Sequence, residues 1–185
     1  LLAGAQLLAI TQKSNVNGHM PPLEAIIPMA RSAGCAVLVD GSQGAVHAPQ
    51  NLVTLGADFY VGTGHKLYGP TGIGWLWGRP EILGDLPPYQ GGGDMIAEVK
   101  LPTGTTFAPP PARFEAGTPA IVEAIGLAAA VKFMESLGWP AIQAHEHALA
   151  HTLSATLADL PFIITHGPAN TGIVPFSLKG AHPSD

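Results

Sequence analysis

A lysine and a carboxylate each follow a short apolar run in this sequence. Lys66 lies in the glycine-rich stretch VGTGHKLYGPTGIG at positions 61–74, and Asp40 ends the apolar run at 36–39. If both runs are parallel strands, the two side chains lie at the carboxyl edge of a sheet, where open α/β sheets bind ligands. A lysine in such a partly desolvated site can act as a nucleophile toward a carbonyl group.

This pair of residue types fits pyridoxal phosphate (PLP). The lysine would form a Schiff base with the aldehyde, and the acid would hold the pyridinium nitrogen. Thr63 and His65, on either side of Gly64, offer a hydroxyl and an imidazole suited to the phosphate. The competing interpretations are a solvated Lys66 on a turn and an Asp40 that only shapes the turn before Gly41.

Two amides are further candidates for cofactor contacts. Gln43 follows Asp40 by three residues and can reach the phenolic oxygen of the cofactor ring. Asn15 follows the first predicted strand and would lie at the same sheet edge, although an ordinary loop asparagine is the simpler interpretation. His147 and His151 are four apart on a predicted helix, which is too few ligands for a metal site, so none is predicted.

Alternating strands and helices predict an α/β fold with an open sheet. Four strands are expected near 7–10, 35–39, 59–61 and 73–77. A helix should begin at Pro22, and Pro28 inside it should bend or shorten it. The Gly- and Pro-rich segment 87–111 is expected to be a long irregular loop.

A second group of elements is expected in the last third of the chain. Thr118 and Pro119 are typical of the N-cap and N1 positions of a helix that ends at Gly138. A further helix is expected over 140–158. Two strands, at 162–165 and 172–178, would belong to a second, smaller unit.

The bulk composition narrows the class of protein. The 185 residues are 46% hydrophobic and 11% charged, enough for one good core. The net charge of −5 comes without a basic run, which argues against a nucleic-acid partner. No apolar run reaches membrane-spanning length. The single cysteine, Cys35, excludes an internal disulfide, favours a cytoplasmic setting and suits a structural role because nothing cationic flanks it.

Several motifs together resemble the PLP-dependent cysteine desulfurases of the SufS type, a group within the class V aminotransferases that includes selenocysteine lyases. The order and spacing of the motifs agree across nearly the whole chain. They are LAIT at 8–11, SNV at 14–16, VLVDGSQ at 37–43, ADFYV at 57–61, GHKLYGPTGIG at 64–74, GGGDMI at 91–96 and RFEAGTP at 113–119. Gln12 stands where a histidine is common in the family, and Thr63 where the family often has serine.

The resemblance implies a fold type I homodimer with a mixed, mostly parallel sheet. It implies that Lys66 forms the Schiff base and that Asp40 pairs with the ring nitrogen. Asn15 and Gln43 would contact ring substituents, and Thr63 and His65 the phosphate. Thr118 would reach the phosphate of the neighbouring subunit's cofactor.

The resemblance also implies an activity. L-cysteine would become L-alanine, with sulfur passed through the enzyme to an acceptor protein for iron–sulfur cluster assembly. Selenocysteine lyase activity, another enzyme of the same superfamily (an aminotransferase, an epimerase or a kynureninase-like hydrolase) and a non-catalytic fragment are the alternatives. The nucleophilic cysteine of the family would follow Asp185.

The family's domain arrangement suggests two parts. Residues 1–137 would be a PLP-binding large domain that lacks its N-terminal portion. Residues 138–185 would begin a smaller α+β domain. The chain is thus expected to be a central fragment of a longer enzyme, and a chain ending at 185 would retain PLP weakly.

Overall fold

The computed structural model describes residues 2, 4–47, 49–102, 104–168 and 172–182. The outer ends of the two predicted domains, at positions 1 and 183–185, lie outside the described residues. The described residues form eight strands: β1 (Leu7–Thr11), β2 (Ala36–Asp40), β3 (Phe59–Thr63), β4 (Gly74–Gly78), β5 (Ile96–Lys100), β6 (Gly104–Phe107), β7 (Ile163–Thr165) and β8 (Phe176–Leu178). Six α-helices accompany them: α1 (Leu23–Ser32), α2 (Gly44–His47), α3 (Leu52–Leu55), α4 (Pro80–Asp85), α5 (Ile121–Leu137) and α6 (Trp139–Ala158).

The central sheet has the order β1-β2-β3-β4. The first three strands are parallel, and β4 runs antiparallel to β3. Thr11 pairs with Asp40, and Asp40 pairs with Val61, so the carboxyl ends of the parallel strands meet at one edge. The predicted α/β class, with a mixed and mostly parallel sheet, is confirmed.

The main core forms where α1 packs on β2. Leu23, Ile27 and Ala30 follow one another at intervals of about one helical turn, on one face of α1, and are buried together with Val37 and Val39. Pro28, which was expected to bend or shorten α1, lies inside it, and the helix continues to Ser32. The ring of Pro28 is exposed, so water can reach the helical carbonyl that Pro28 leaves without a donor.

Asp58, just before β3, fixes this layer. Its Oδ2 accepts the backbone N–H of Val37 at 2.8 Å, while Oδ1 accepts from Arg31 Nη2 at 3.2 Å. Arg79 Nε lies 3.5 Å from the same Oδ1. Because Asp58 is buried, these contacts replace the water that its charge would otherwise need.

The segment 87–111 is not a wholly irregular loop. It contains the antiparallel hairpin β5–β6, in which Ile96 pairs with Phe107. All residues of β5 are exposed, so the apolar–polar alternation of a half-buried strand is absent. The prediction of an unstructured segment was therefore wrong.

The helix after the RFEAGTP motif starts later than expected. α5 begins at Ile121 with Ala120 as its N-cap, and no side chain caps it. Thr118 lies two residues outside this cap, and the Ile121 N–H bonds to the Pro119 carbonyl at 2.8 Å. α6 packs against α5, and the short β7–β8 hairpin follows. No helix formed by the described residues has the length and hydropathy needed to cross a membrane.

Candidate active site

Asp40 is the last residue of β2 and is half-buried at the carboxyl edge of the sheet. One carboxylate oxygen, Oδ1, accepts the Ser42 N–H at 2.9 Å. Within the described part of the chain, the other oxygen has no hydrogen-bond donor. An ionised carboxylate with an open acceptor position can hold a protonated ring nitrogen.

Lys66 lies on a single 3₁₀ turn, His65–Leu67, which begins two residues after the end of β3. The turn is held by Gly64, whose carbonyl accepts from Leu67 at 2.9 Å and from Gly69 at 3.0 Å. A Cβ at Gly64 would lie 2.6 Å from Ile73 Cγ2, so this packing requires glycine. Lys66 is half-buried, and its amine makes no ion pair or hydrogen bond with any described residue.

Thr63 and His65 form a polar pair next to the lysine. Thr63 Oγ1 and His65 Nδ1 share a hydrogen bond of 2.9 Å. Thr63 ends β3 and His65 begins the lysine turn, so both project from the edge that carries Asp40. This hydroxyl and imidazole are suited to hold an anion.

The other predicted site residues differ in where they lie. Asn15 is exposed in the turn after β1, and Gln43 is half-buried just before α2. Neither side chain makes a hydrogen bond with a described residue. Thr118 is exposed in the segment before α5, and no hydrogen bond connects it to the other six. The fold therefore gathers six of the seven predicted residues at one sheet edge, and Thr118 lies on a separate segment.

A buried polar pair lies behind Asp40. Tyr60, fully buried in β3, donates its hydroxyl hydrogen bond to Gln12 Oε1. Its ring stacks on Trp75, with 5.4 Å between centroids and 19° between planes. Burial, and secondarily the charge of Asp40, raises the pKa of Tyr60 to about 12, so the phenol stays neutral.

Sequence reasoning gave Tyr60 and Gln12 no role in the site. The two residues are 48 positions apart, and their contact depends on the pairing of three strands. A signal was present in the glycines at 41 and 44, which follow Asp40 and leave room for large neighbours.

A second polar cluster joins the β1 loop to α6. His47 Nδ1 and Glu146 Oε2 are 2.8 Å apart. Lys13 is buried nearby with 4% exposure. Burial lowers the pKa of Lys13, and the Glu146 charge offsets part of this shift.

Comparison with known proteins agrees with this architecture. Residues 1–185 match the family model "Aminotransferase class-V". A curated cysteine desulfurase of Dickeya dadantii (strain 3937) is 48% identical over 181 residues, which cover 97% of this chain and 44% of the relative. The chain thus spans less than half the length of this relative.

Two solved structures extend the comparison. A cysteine desulfurase from Escherichia coli superposes with a TM-score of 0.93 at 40% identity, over 97% of this chain and 45% of that one. A variant of the cystine C–S lyase C-DES, with glycine covalently linked to its PLP cofactor, superposes with a TM-score of 0.83 at 26% identity. That match covers 95% of this chain and 48% of the lyase. The resemblance drawn from the motifs is confirmed, and the chain belongs to the class V aminotransferase family with the fold of the PLP-dependent cysteine desulfurases.

Proposed function

We propose that the protein carrying these residues is a PLP-dependent cysteine desulfurase, which converts L-cysteine to L-alanine and passes the sulfur on. One observation carries this proposal. The half-buried Lys66, unpaired among the described residues, and the open carboxylate oxygen of Asp40 lie at one sheet edge. The relatives named cysteine desulfurase supply the substrate class.

The donor set at this edge suits PLP. The cofactor needs an amine for its aldehyde, an acid for its ring nitrogen and donors for its phosphate. These groups would come from Lys66, from Asp40 and from the Thr63–His65 pair. Neither Lys66 nor Asp40 is neutralised by an ion pair with a described residue. Asn15 and Gln43 add side-chain amides that have no hydrogen bond to a described residue and would contact ring substituents.

Each residue has a distinct task in the proposed reaction. When bound, PLP withdraws electrons from the α-carbon of the attached amino acid. Lys66 Nζ would hold the cofactor at rest, and the same amine would accept and return the α-proton of the substrate. Asp40 Oδ2 would keep the proton on the ring nitrogen, and Thr63 with His65 would hold the phosphate in place.

Sulfur transfer needs a thiol other than Cys35. Cys35 is buried in the core with 2% exposure, at the end of β2 opposite Asp40. A thiol in that position cannot reach a substrate held at the carboxyl edge. The acceptor cysteine of the active enzyme therefore has to be another residue, and the relayed sulfur would pass to an acceptor protein.

We further propose that the enzyme is a homodimer in which Thr118 reaches the phosphate of the partner's cofactor. Thr118 is exposed and precedes an apolar helical surface. On α5, Ile121, Val122 and Ile125 are 55%, 77% and 67% exposed. Apolar surface of this kind typically marks a protein interface. We also propose that residues 1–137 belong to a large domain and residues 138–185 to a small domain.

A product assay tests the proposed reaction. The full-length protein that carries these residues, loaded with PLP, is incubated with L-cysteine and dithiothreitol, and alanine and sulfide are measured together. We expect equal amounts of both, with a loss of about a thousandfold or more in Lys66→Ala. Lys132→Ala, which removes an exposed lysine of α5, is the matched control and should keep full activity.

The same assay separates the alternatives. An aminotransferase would need a keto acid and would release no sulfide. A preference for selenocysteine would give alanine with selenide at a higher rate than alanine with sulfide. Consumption of L-cysteine without release of alanine would refute the proposed function, and so would full activity in Lys66→Ala.

A further inference from the structure

We propose that Tyr60 and Gln12 form a positioning pair. The pair fixes the position of the Asp40 carboxylate and thereby raises the affinity for PLP. The proposal rests on the proposed function of Asp40 as partner of the ring nitrogen. Neither residue would touch the cofactor in this role. They act through the turn that follows Asp40.

The pair is rigid because the side chains of both residues are buried and in contact with their neighbours. Tyr60 has no exposed surface, and Trp75 stacks on its ring at 5.4 Å. Its hydroxyl donates to Gln12 Oε1, and Gln12 is itself buried with 4% exposure. A neutral phenol and an amide oxygen satisfy each other in a region from which water is excluded.

The turn after Asp40 lies directly on this pair. A Cβ at Gly41 would fall 2.0 Å from Tyr60 Oη, and a Cβ at Gly44 would fall 2.0 Å from Gln12 Oε1. The backbone of the turn at Gly41, and that of α2 at its first residue Gly44, therefore contact the pair. Asp40 precedes this turn, and its Oδ1 accepts from Ser42 within the turn.

Backbone hydrogen bonds connect the pair to Asp40 from both neighbouring strands. The Gln12 N–H donates to the Asp40 carbonyl at 2.9 Å, on the β1 side. The Gly41 N–H donates to the Val61 carbonyl at 2.9 Å, on the β3 side, one residue after Tyr60. Asp40 is thus fixed between the strands that carry the two partners. The effect of the Asp40 charge on the pKa of Tyr60 is consistent with this proximity.

Isosteric variants test the pair. Tyr60→Phe keeps the ring and removes the hydroxyl, and Gln12→Leu keeps the volume and removes the acceptor. We expect each to raise the Kd for PLP about three- to tenfold, the effect of one buried hydrogen bond. The double variant should be no weaker than the worse single variant, because both remove the same contact. Tyr89→Phe, at an exposed tyrosine, is the control and should match wild type.

A spectroscopic readout separates positioning from stability. The visible absorbance band of bound PLP is titrated with pH in each variant. A displaced carboxylate leaves less positive charge on the cofactor ring, and the nitrogen that joins the ring to Lys66 becomes more basic, so the pH midpoint should move up in Tyr60→Phe and Gln12→Leu. Gln12→His retains an acceptor for the Tyr60 hydroxyl and should restore both the Kd and the midpoint.

Asp40→Asn distinguishes failure of this inference from failure of the proposed function. If Asp40→Asn leaves Kd and midpoint unchanged, the proposed role of Asp40 is wrong. If Asp40→Asn changes both but Tyr60→Phe and Gln12→Leu change neither, the positioning role is overturned. Lower thermal stability in those two variants, with Kd and midpoint as in wild type, would likewise overturn it.

Discussion

At the scale of single residues, glycine decides how the candidate site is built. Gly41 lets the turn after Asp40 lie against Tyr60, and Gly64 lets the lysine turn close on Ile73. Glycine is needed at both positions because a neighbouring side chain occupies the space that a Cβ would fill. The backbone conformation itself does not require glycine. The chemistry of Asp40 and Lys66 therefore depends on residues that carry no functional group.

Replacing Gly41 by alanine should destabilise the protein. The added Cβ would fall 2.0 Å from the buried Tyr60 ring, which Trp75 prevents from moving away. We expect a loss of about 1–3 kcal/mol in the free energy of unfolding, measured by urea denaturation. Gly84→Ala in α4 meets nothing within 4 Å and is the control. Equal effects of the two substitutions would contradict the packing described for Gly41.

Residue types and spacing predicted Lys66 and Asp40 because a strand followed by a polar residue is a local pattern. The contact of Tyr60 with Gln12 could not be predicted in the same way. It joins two strands through a third and depends on two close approaches to glycine. The role of Thr118 stays a prediction, since its proposed contact is with another subunit.

At the scale of elements, the sheet and α1 follow from patterns that report burial. β2 is a continuous apolar run because both of its faces are covered, and the sequence predicted it within one residue. The β5–β6 hairpin escaped prediction because it is exposed on both faces and carries no burial pattern. Elements that pack on the core are thus predictable here, and an exposed hairpin among Gly and Pro residues is not.

Asp58 should be the most sensitive polar residue of the core layer. Asp58→Ala leaves the Val37 N–H without its acceptor and removes the partner of Arg31 and Arg79. We expect the free energy of unfolding to fall by about 3–5 kcal/mol. Asp85→Ala, at an exposed site in α4, should change it by about 0.5 kcal/mol or less. A small effect of Asp58→Ala would show that the two arginines do not depend on it.

At the scale of the whole molecule, polar and charged side chains join α6 to α2, the short helix that follows β2. Glu146 of α6 contacts His47, and Gln143 Nε2 donates to the His47 carbonyl at 3.0 Å. Lys13, after β1, lies in the field of the same carboxylate. The attachment of α6 should therefore depend on pH.

The pH dependence follows from the lowered pKa of Lys13. Since the folded state releases this proton below the usual lysine pKa of 10.5, stability should rise with pH between the lowered pKa and 10.5. Lys13→Met should flatten this rise in stability. In Glu146→Gln the rise should begin at lower pH, because the negative charge that raises the pKa of Lys13 is gone. Lys132→Met is the exposed control. Urea unfolding between about pH 7 and pH 10 measures the slopes, and an unchanged slope in Lys13→Met would refute the assignment.

The central claim is that Lys66 binds PLP covalently at the carboxyl edge of the sheet. The most direct measurement is borohydride reduction of the full-length protein that carries these residues, loaded with PLP, followed by intact mass and a peptide map. The account predicts one pyridoxyl group per chain, located on Lys66 and missing in Lys66→Ala. An adduct on another lysine, such as Lys13, or an unmodified mass after PLP has been supplied, would contradict it.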